Sequence, residues 1–196
     1  MGRTREFDVD VAVDQALRLF WHKGYEGTSL TDLTEALGIN RPSLYAAFGS
    51  KEELFLKAVD RYVTTYGHEV VEALDAPTAR EVVTRILRFY ADAGGREELP
   101  RGCLLVQGAL VCSDENSSIR ANLANHRQAA EEMLAKRLER AKREGDLGRD
   151  ARPADLARFV CSVCHGLAIQ GADGATREQL RRVAALALEA WPRRSD

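Results

Sequence analysis

No stretch of this 196-residue chain stays apolar for anything near the ~18 residues that span a bilayer, so no membrane-spanning helix is expected. The first ten residues, MGRTREFDVD, carry charges but no apolar core, which argues against a secretory signal and makes the cytoplasm the expected location. Cysteine is scarce. Cys103, Cys112, Cys161 and Cys164 are the whole set, and in a chain with no export signal they are expected as reduced thiols. There is no G-x-S-x-G, P-loop, H-E-x-x-H or nucleotide-binding glycine pattern, so no enzyme activity is expected. A surplus of positive charge is also missing. Lys and Arg number 28 against 30 Asp and Glu, and the first 66 residues hold eight against ten. That balance excludes a uniformly basic nucleic-acid coat. It leaves room for a local basic face, because charges are screened within about 8–10 Å. Arg3, Arg5, Arg41 and Lys51 are the residues expected to share one. What is present, 45% hydrophobic and 30% charged residues without repeats, describes an ordinary globular protein of one or two domains.

The most organised stretch is TSLTDLTEALGINRPSLYAAFGS, residues 28–50. Ser29 with Asp32 three residues on reads as a helix cap, and Leu30, Leu33 and Leu37 follow at helical spacing. Gly38 then ends that helix. Asn40 caps a second helix with Pro42 in its first turn, where a missing N–H breaks no ladder bond. Leu44, Ala47 and Phe48 form its apolar side, leaving Arg41, Ser43, Tyr45 and Ala46 to face outward. Ser50 with Glu53 caps a third helix. A helix of about two turns is too short to stand alone and must be pinned by its neighbours. Such a helix fits the DNA major groove with its N-terminal residues at base edges. Arg41 suits a guanine edge or a phosphate, Ser43 either, and Pro42 a thymine methyl, while Tyr45, Thr28, Ser29 and Lys51 suit phosphates. On spacing alone, an ordinary helical hairpin facing water explains the pattern equally well.

Residues 13–58 resemble the N-terminal DNA-binding domain of the TetR/AcrR family of transcriptional regulators. The resemblance lies in the run from Ala16 to Ser29, the L..ALG from Leu33 to Gly38, the SLY..F.SKEEL from Ser43 to Leu54, and their mutual spacings. It implies an all-α protein: an N-terminal three-helix helix-turn-helix domain (1–66) joined by a long helix to a C-terminal helical domain (67–196) for effector binding and dimerisation. It further implies a homodimer on double-stranded DNA at a palindromic operator, and a repressor released by a small-molecule effector. Carried over by position, the recognition helix is 41–48, with phosphate contacts from Thr28, Ser29, Tyr45 and Lys51 and base contacts from Arg41, Pro42 and Ser43. Members often carry aromatic or His residues at the two positions after the tyrosine. This chain has Ala46 and Ala47, which removes the basis for contacts there.

The rest of the chain reads as helices. Spacing predicts one over 9–23, a long one from 51 to about 74, and others over 79–93, 103–111, about 118–144, 153–170 and 177–191. Glu131, Glu132, Lys136, Arg137, Glu139 and Arg140 read as a solvated charged face. The last two helices carry excess apolar surface, with Cys161, Ala168, Ala184 and Ala187 small enough for a partner's close approach, the pairing the family resemblance implies. A mostly apolar effector cavity is expected among Tyr62, Tyr66, Phe89, Leu104, Gln107, Leu110, Met133, Phe159 and Cys164. No cofactor or metal is expected. Cys161-Ser-Val-Cys164-His165 matches a haem-attachment string, but it lies in an apolar helical stretch, and zinc needs about four ligands at a spacing these residues lack. The alternative from another class is a thiol-based redox or metal-responsive regulator using Cys161 and Cys164.

Overall fold

The computed structural model describes residues 8–93 and 99–192. Arg3 and Arg5 lie outside them. Among the described residues the chain forms ten α-helices and one short 3-10 turn, with no strand. None of these helices is long and apolar enough to cross a membrane.

Helix α1 (Val9–Lys23) starts where the Asp8 side chain accepts from the N–H groups of Asp10 at 3.0 Å and Val11 at 3.2 Å. Its buried stripe, from Ala12 through Phe20 to Trp21, packs on α4 (Lys51–Tyr66). Arg61 of α4 reaches back to Asp14 at 3.1 Å and to Asp10. Between them sit α2 (Leu30–Leu37) and α3 (Arg41–Phe48), anchored by Leu33, Leu37, Leu44 and Phe48. The Phe55 ring meets Phe20 edge-on at 4.9 Å and Tyr25 at 5.0 Å, which locks the centre of this head.

The long fourth helix predicted to residue 74 is broken. It stops at Tyr66, and α5 (His68–Ala73) begins after Gly67. The Thr64 hydroxyl donates to the Asp60 carbonyl at 2.8 Å and His68 Nδ1 bonds the Thr65 carbonyl at 3.0 Å, so side chains compete for the helix ladder here. A Cβ at Gly67 would lie 2.5 Å from the Val63 oxygen, so the tight junction depends on glycine.

The body is built from α5, α6 (Ala79–Ala93), α8 (Ser117–Arg143), α9 (Pro153–Ala172) and α10 (Arg177–Glu189) around one apolar cluster. The helix predicted over 103–111 shrinks to one turn, α7 (Leu104–Gln107), because Gly108 ends it and its carbonyl accepts the Tyr25 N–H at 2.7 Å. Leu104, with Ile119 and Leu123 of α8, joins the core of the head rather than that of the body. Arg137 leaves the solvated face assigned to it. It is buried, and its guanidinium donates to the carbonyls of Leu74 at 2.8 Å and Ala76 at 2.7 Å, closing the α5–α6 turn. The Thr176–Gln179 capping box starts α10, with both reciprocal bonds made at 2.8 and 3.2 Å.

Candidate nucleic-acid interface and effector cavity

The reading unit is fixed at each end by its own side chains. Ser29 Oγ accepts the Asp32 N–H at 3.0 Å while the Asp32 carboxylate accepts the Ser29 N–H at 2.8 Å. Bonds from Lys23 and then Ser29 hold the Asp32 carboxyl far below the usual carboxylate range. Gly38 adopts φ 64°, ψ 29°, the left-handed turn that swings the chain into α3. Asn40 then caps α3 by accepting the Ser43 N–H at 2.9 Å. Leu44 and Phe48 hold this helix to the core, so Arg41, Pro42, Ser43 and Tyr45 all stand exposed on its outer side. The Arg41 guanidinium donates to the Thr31 hydroxyl at 3.2 Å, which ties α3 to α2 across the exposed face. Thr31 is a neighbour that sequence reasoning missed, since only the turn geometry brings positions 31 and 41 together.

At the start of α4, the Lys51 ammonium sits 4.2 Å from the centre of the Tyr25 ring. Burial pushes its pKa down, opposed by Glu26 and Asp32. Ser29 is exposed beside the α2 N-terminus. Thr28, expected at a phosphate, has its side chain turned inward. The residue is 0% exposed, and its hydroxyl donates to the Gly24 carbonyl at 2.7 Å. Gly24, at φ 72°, folds the chain back so that its carbonyl meets Thr28, and a Cβ there would come 3.2 Å from the Gly108 oxygen. The hydroxyl therefore braces the α1–α2 turn.

Head and body meet at this same turn. The exposed Glu26 carboxylate accepts from Asn116 Nδ2 at 2.8 Å and from the Ser113 N–H at 2.9 Å and hydroxyl at 3.1 Å. Those bonds, that from Asn116 foremost, lower its pKa. The Ser118 hydroxyl donates to Glu52 at 2.8 Å.

Behind the turn lies a cavity of about 480 Å³ between head and body. Tyr62, Tyr66, Phe89 and Met133 line it, together with Trp21, Tyr90, Cys103 and Leu105. The remaining expected lining residues are placed elsewhere. Leu104 is buried in the head core, and Gln107 turns its amide to the carbonyls of Arg101 at 3.1 Å and Trp21 at 3.4 Å. Leu110 and Phe159 are exposed, and Cys164 is buried in the body core. The reason lies in α7. A single turn points Cys103 and Leu105 at the cavity and Leu104 away from it. Tyr62 donates its hydroxyl to Cys103 Sγ at 3.3 Å. Burial raises both Tyr62 and Tyr90 well above the ordinary phenol value, so both stay protonated. Trp21 carries no sequence signal for the cavity, because it shares the α1 stripe with Phe20 and periodicity does not separate core from cavity wall.

Elsewhere, burial pushes the Cys161 thiol up to about 11 and raises Cys164 as well. Among the described residues no group of three His, Cys, Asp or Glu side chains is placed to hold a metal. Ala168, Ala184 and Ala187 are buried within the chain itself, so they do not open the close approach to a partner expected of them. Phe159 and Ile169 of α9 and Val183 and Leu186 of α10 are the large apolar side chains left exposed on these helices.

Two short helices capped across a glycine turn, with the second presenting Arg41, Pro42, Ser43 and Tyr45, define a helix-turn-helix regulator. The chain belongs to the TetR family. Residues 12–58 match the model of bacterial regulatory proteins of the tetR family, and residues 79–186 match the tetracyclin repressor-like C-terminal domain. The HTH-type transcriptional repressor ComR of Escherichia coli K12 is 31% identical over 193 residues, spanning 97% of this chain and 92% of that one. The repressor BdcR of the same organism is 32% identical over 194 residues, spanning 96% and 91%. Among solved structures, a cysteine-substituted form of the TetR-family regulator CifR complexed with 26bp double-strand operator DNA superimposes with a TM-score of 0.93 at 43% identity, covering 97% of this chain and 100% of that one. A TetR regulator from Rhodococcus sp. RHA1 superimposes at 0.63 with 42% identity, covering 93% and 98%.

Proposed function

We propose that this protein is a cytoplasmic, homodimeric repressor that binds a palindromic operator through α3 and leaves it when a small molecule enters the cavity. The observation that carries the reading is the 0.93 superposition, at 43% identity and over nearly the full chain, on a regulator complexed with operator DNA. In this reading Arg41, Pro42 and Ser43 read bases, while Ser29, Tyr45 and Lys51 position the backbone. We place the domain boundary at 66/67, where α4 ends. The exposed apolar side chains of α9 and α10 supply the two-fold interface.

Signal passes through α7. Cys103 and Leu105 touch the cavity, Leu104 sits in the head core, and Gly108 holds the Tyr25 N–H. An occupant that shifts α7 therefore tilts the α1–α2 turn, and with it α3. It acts only to the extent that it binds the tilted form better, with each ~1.4 kcal/mol of difference worth tenfold in operator affinity. The thiol alternative at Cys161 and Cys164 lacks support of this kind, since burial keeps both as thiols, the unreactive form. Selection of bound fragments from a random DNA pool tests the reading. It predicts an inverted-repeat consensus, and recovery of unrelated sequences overturns it.

A further inference from the structure

One wall of the cavity belongs to the head. Trp21, on α1, lines it and is 5% exposed, yet among the described residues its indole Nε1 meets no acceptor. Buried indole N–H groups are normally paired, and leaving one unpaired is costly. The rings packed on this indole are Tyr62 at 4.8 Å and 88° and Tyr66 at 5.2 Å and 62°, both cavity residues from α4. Tyr62 aims its hydroxyl at Cys103 Sγ. Both tyrosines are half-buried, but Tyr66 stands in the last position of α4, against the Gly67 break, and so is the ring with room to move. The surroundings favour a neutral occupant over an anion. The phenols of Tyr62 and Tyr90 and the thiol of Cys103 are neutral, Glu72 shares the wall with His68 and His126, and an ion would surrender its water against apolar rings.

We propose that the effector is an uncharged, largely apolar molecule with one carbonyl-type acceptor, and that this acceptor takes the Trp21 Nε1–H by parting Tyr66 from the indole. The inference rests on the cavity being the effector site. Its consequence is direct coupling: the same molecule bonds α1 of the head and packs on α7 and on α8 of the body. Displacing Tyr66 moves the end of α4, so recognition of the carbonyl and movement of the head become one event.

The test uses full-length protein with its tryptophans labelled at the indole nitrogen. Trp21 and Trp191 are the chain's two tryptophans, so two indole signals are expected, and Trp191→Phe assigns them. Three probes share one ring system: 2-acetylnaphthalene, the isosteric 2-isopropenylnaphthalene, which has no acceptor, and the 2-naphthoate anion. The ketone is expected to shift the Trp21 indole proton downfield and to bind about tenfold tighter than the alkene or the anion. In Trp21→Phe the ketone's advantage over the alkene is expected to vanish, with the fold checked by its melting curve. Should that variant fail to fold, the wild-type indole shift and the ranking of the probes decide. Equal binding of ketone and alkene, an unmoved Trp21 signal, or no binding of the ketone overturns the proposal. Operator release by the ketone is scored separately. Release with the indole unmoved removes the Trp21 assignment and leaves the effector reading intact. An indole shift without release keeps the bonding chemistry and removes the effector reading.

Discussion

Arg41 shows how far a single residue can be read from a sequence. Its place just after the Asn40 cap marks it as exposed and groove-facing, and it is exposed. Arg41→Ala is expected to weaken operator binding by about 1–3 kcal/mol and to relax preference at one base pair, read by titrating labelled duplexes. Unchanged affinity would remove Arg41 from the base-reading set. Thr28 shows the limit. Its spacing from the cap is the same whether its hydroxyl faces a phosphate or the Gly24 carbonyl, and only the fold of the α1–α2 turn decides. Glu26 carried no sequence signal, because Ser113 and Asn116 are far along the chain. Its carboxyl lies below the ordinary 4.5 in the folded protein, so its contribution to stability is complete above that pH and fades as pH falls through the folded value. Glu26→Gln is therefore expected to lower Tm at neutral pH, with the gap to wild type closing in acid. A gap that stays constant with pH would show that the charge is not what holds the turn to the body.

At the scale of elements, apolar spacing locates α1, α2, α3, α6, α9 and α10, because each buries a stripe that repeats at helical period. It fails where backbone chemistry overrides the stripe. The Thr64 and His68 bonds to backbone carbonyls, with Gly67, split one predicted helix, and Gly108 cuts another to a single turn. The cavity was half legible for the same reason, since which side chain of α7 faces it depends on where that turn stops. Leu104, 0% exposed, joins α7 to the head core, and Leu104→Ala is expected to cost about 2–5 kcal/mol in urea unfolding. Leu110→Ala, 55% exposed, is expected to change stability by no more than about 0.5 kcal/mol. Similar losses for both would contradict the burial of Leu104 in the head core.

For the molecule as a whole, charge is uninformative: a net −2 says nothing of where Arg41 and Lys51, the proposed DNA contacts, stand. The proposed two-fold pairing rests instead on apolar side chains left uncovered. Leu186 is 63% exposed, and Leu186→Glu is expected to reduce the sedimenting species to a 21.7 kDa monomer and to weaken operator binding with it. A variant that remains dimeric would place the interface elsewhere. The central claim is that two copies of α3 enter neighbouring major grooves on one side of the duplex. The direct measurement titrates the dimer against synthetic operators whose two half-sites are moved apart one base pair at a time. Affinity should peak where half-site centres lie about one turn, 10–10.5 base pairs, apart and collapse when half a turn is added. Affinity indifferent to that spacing would contradict the account.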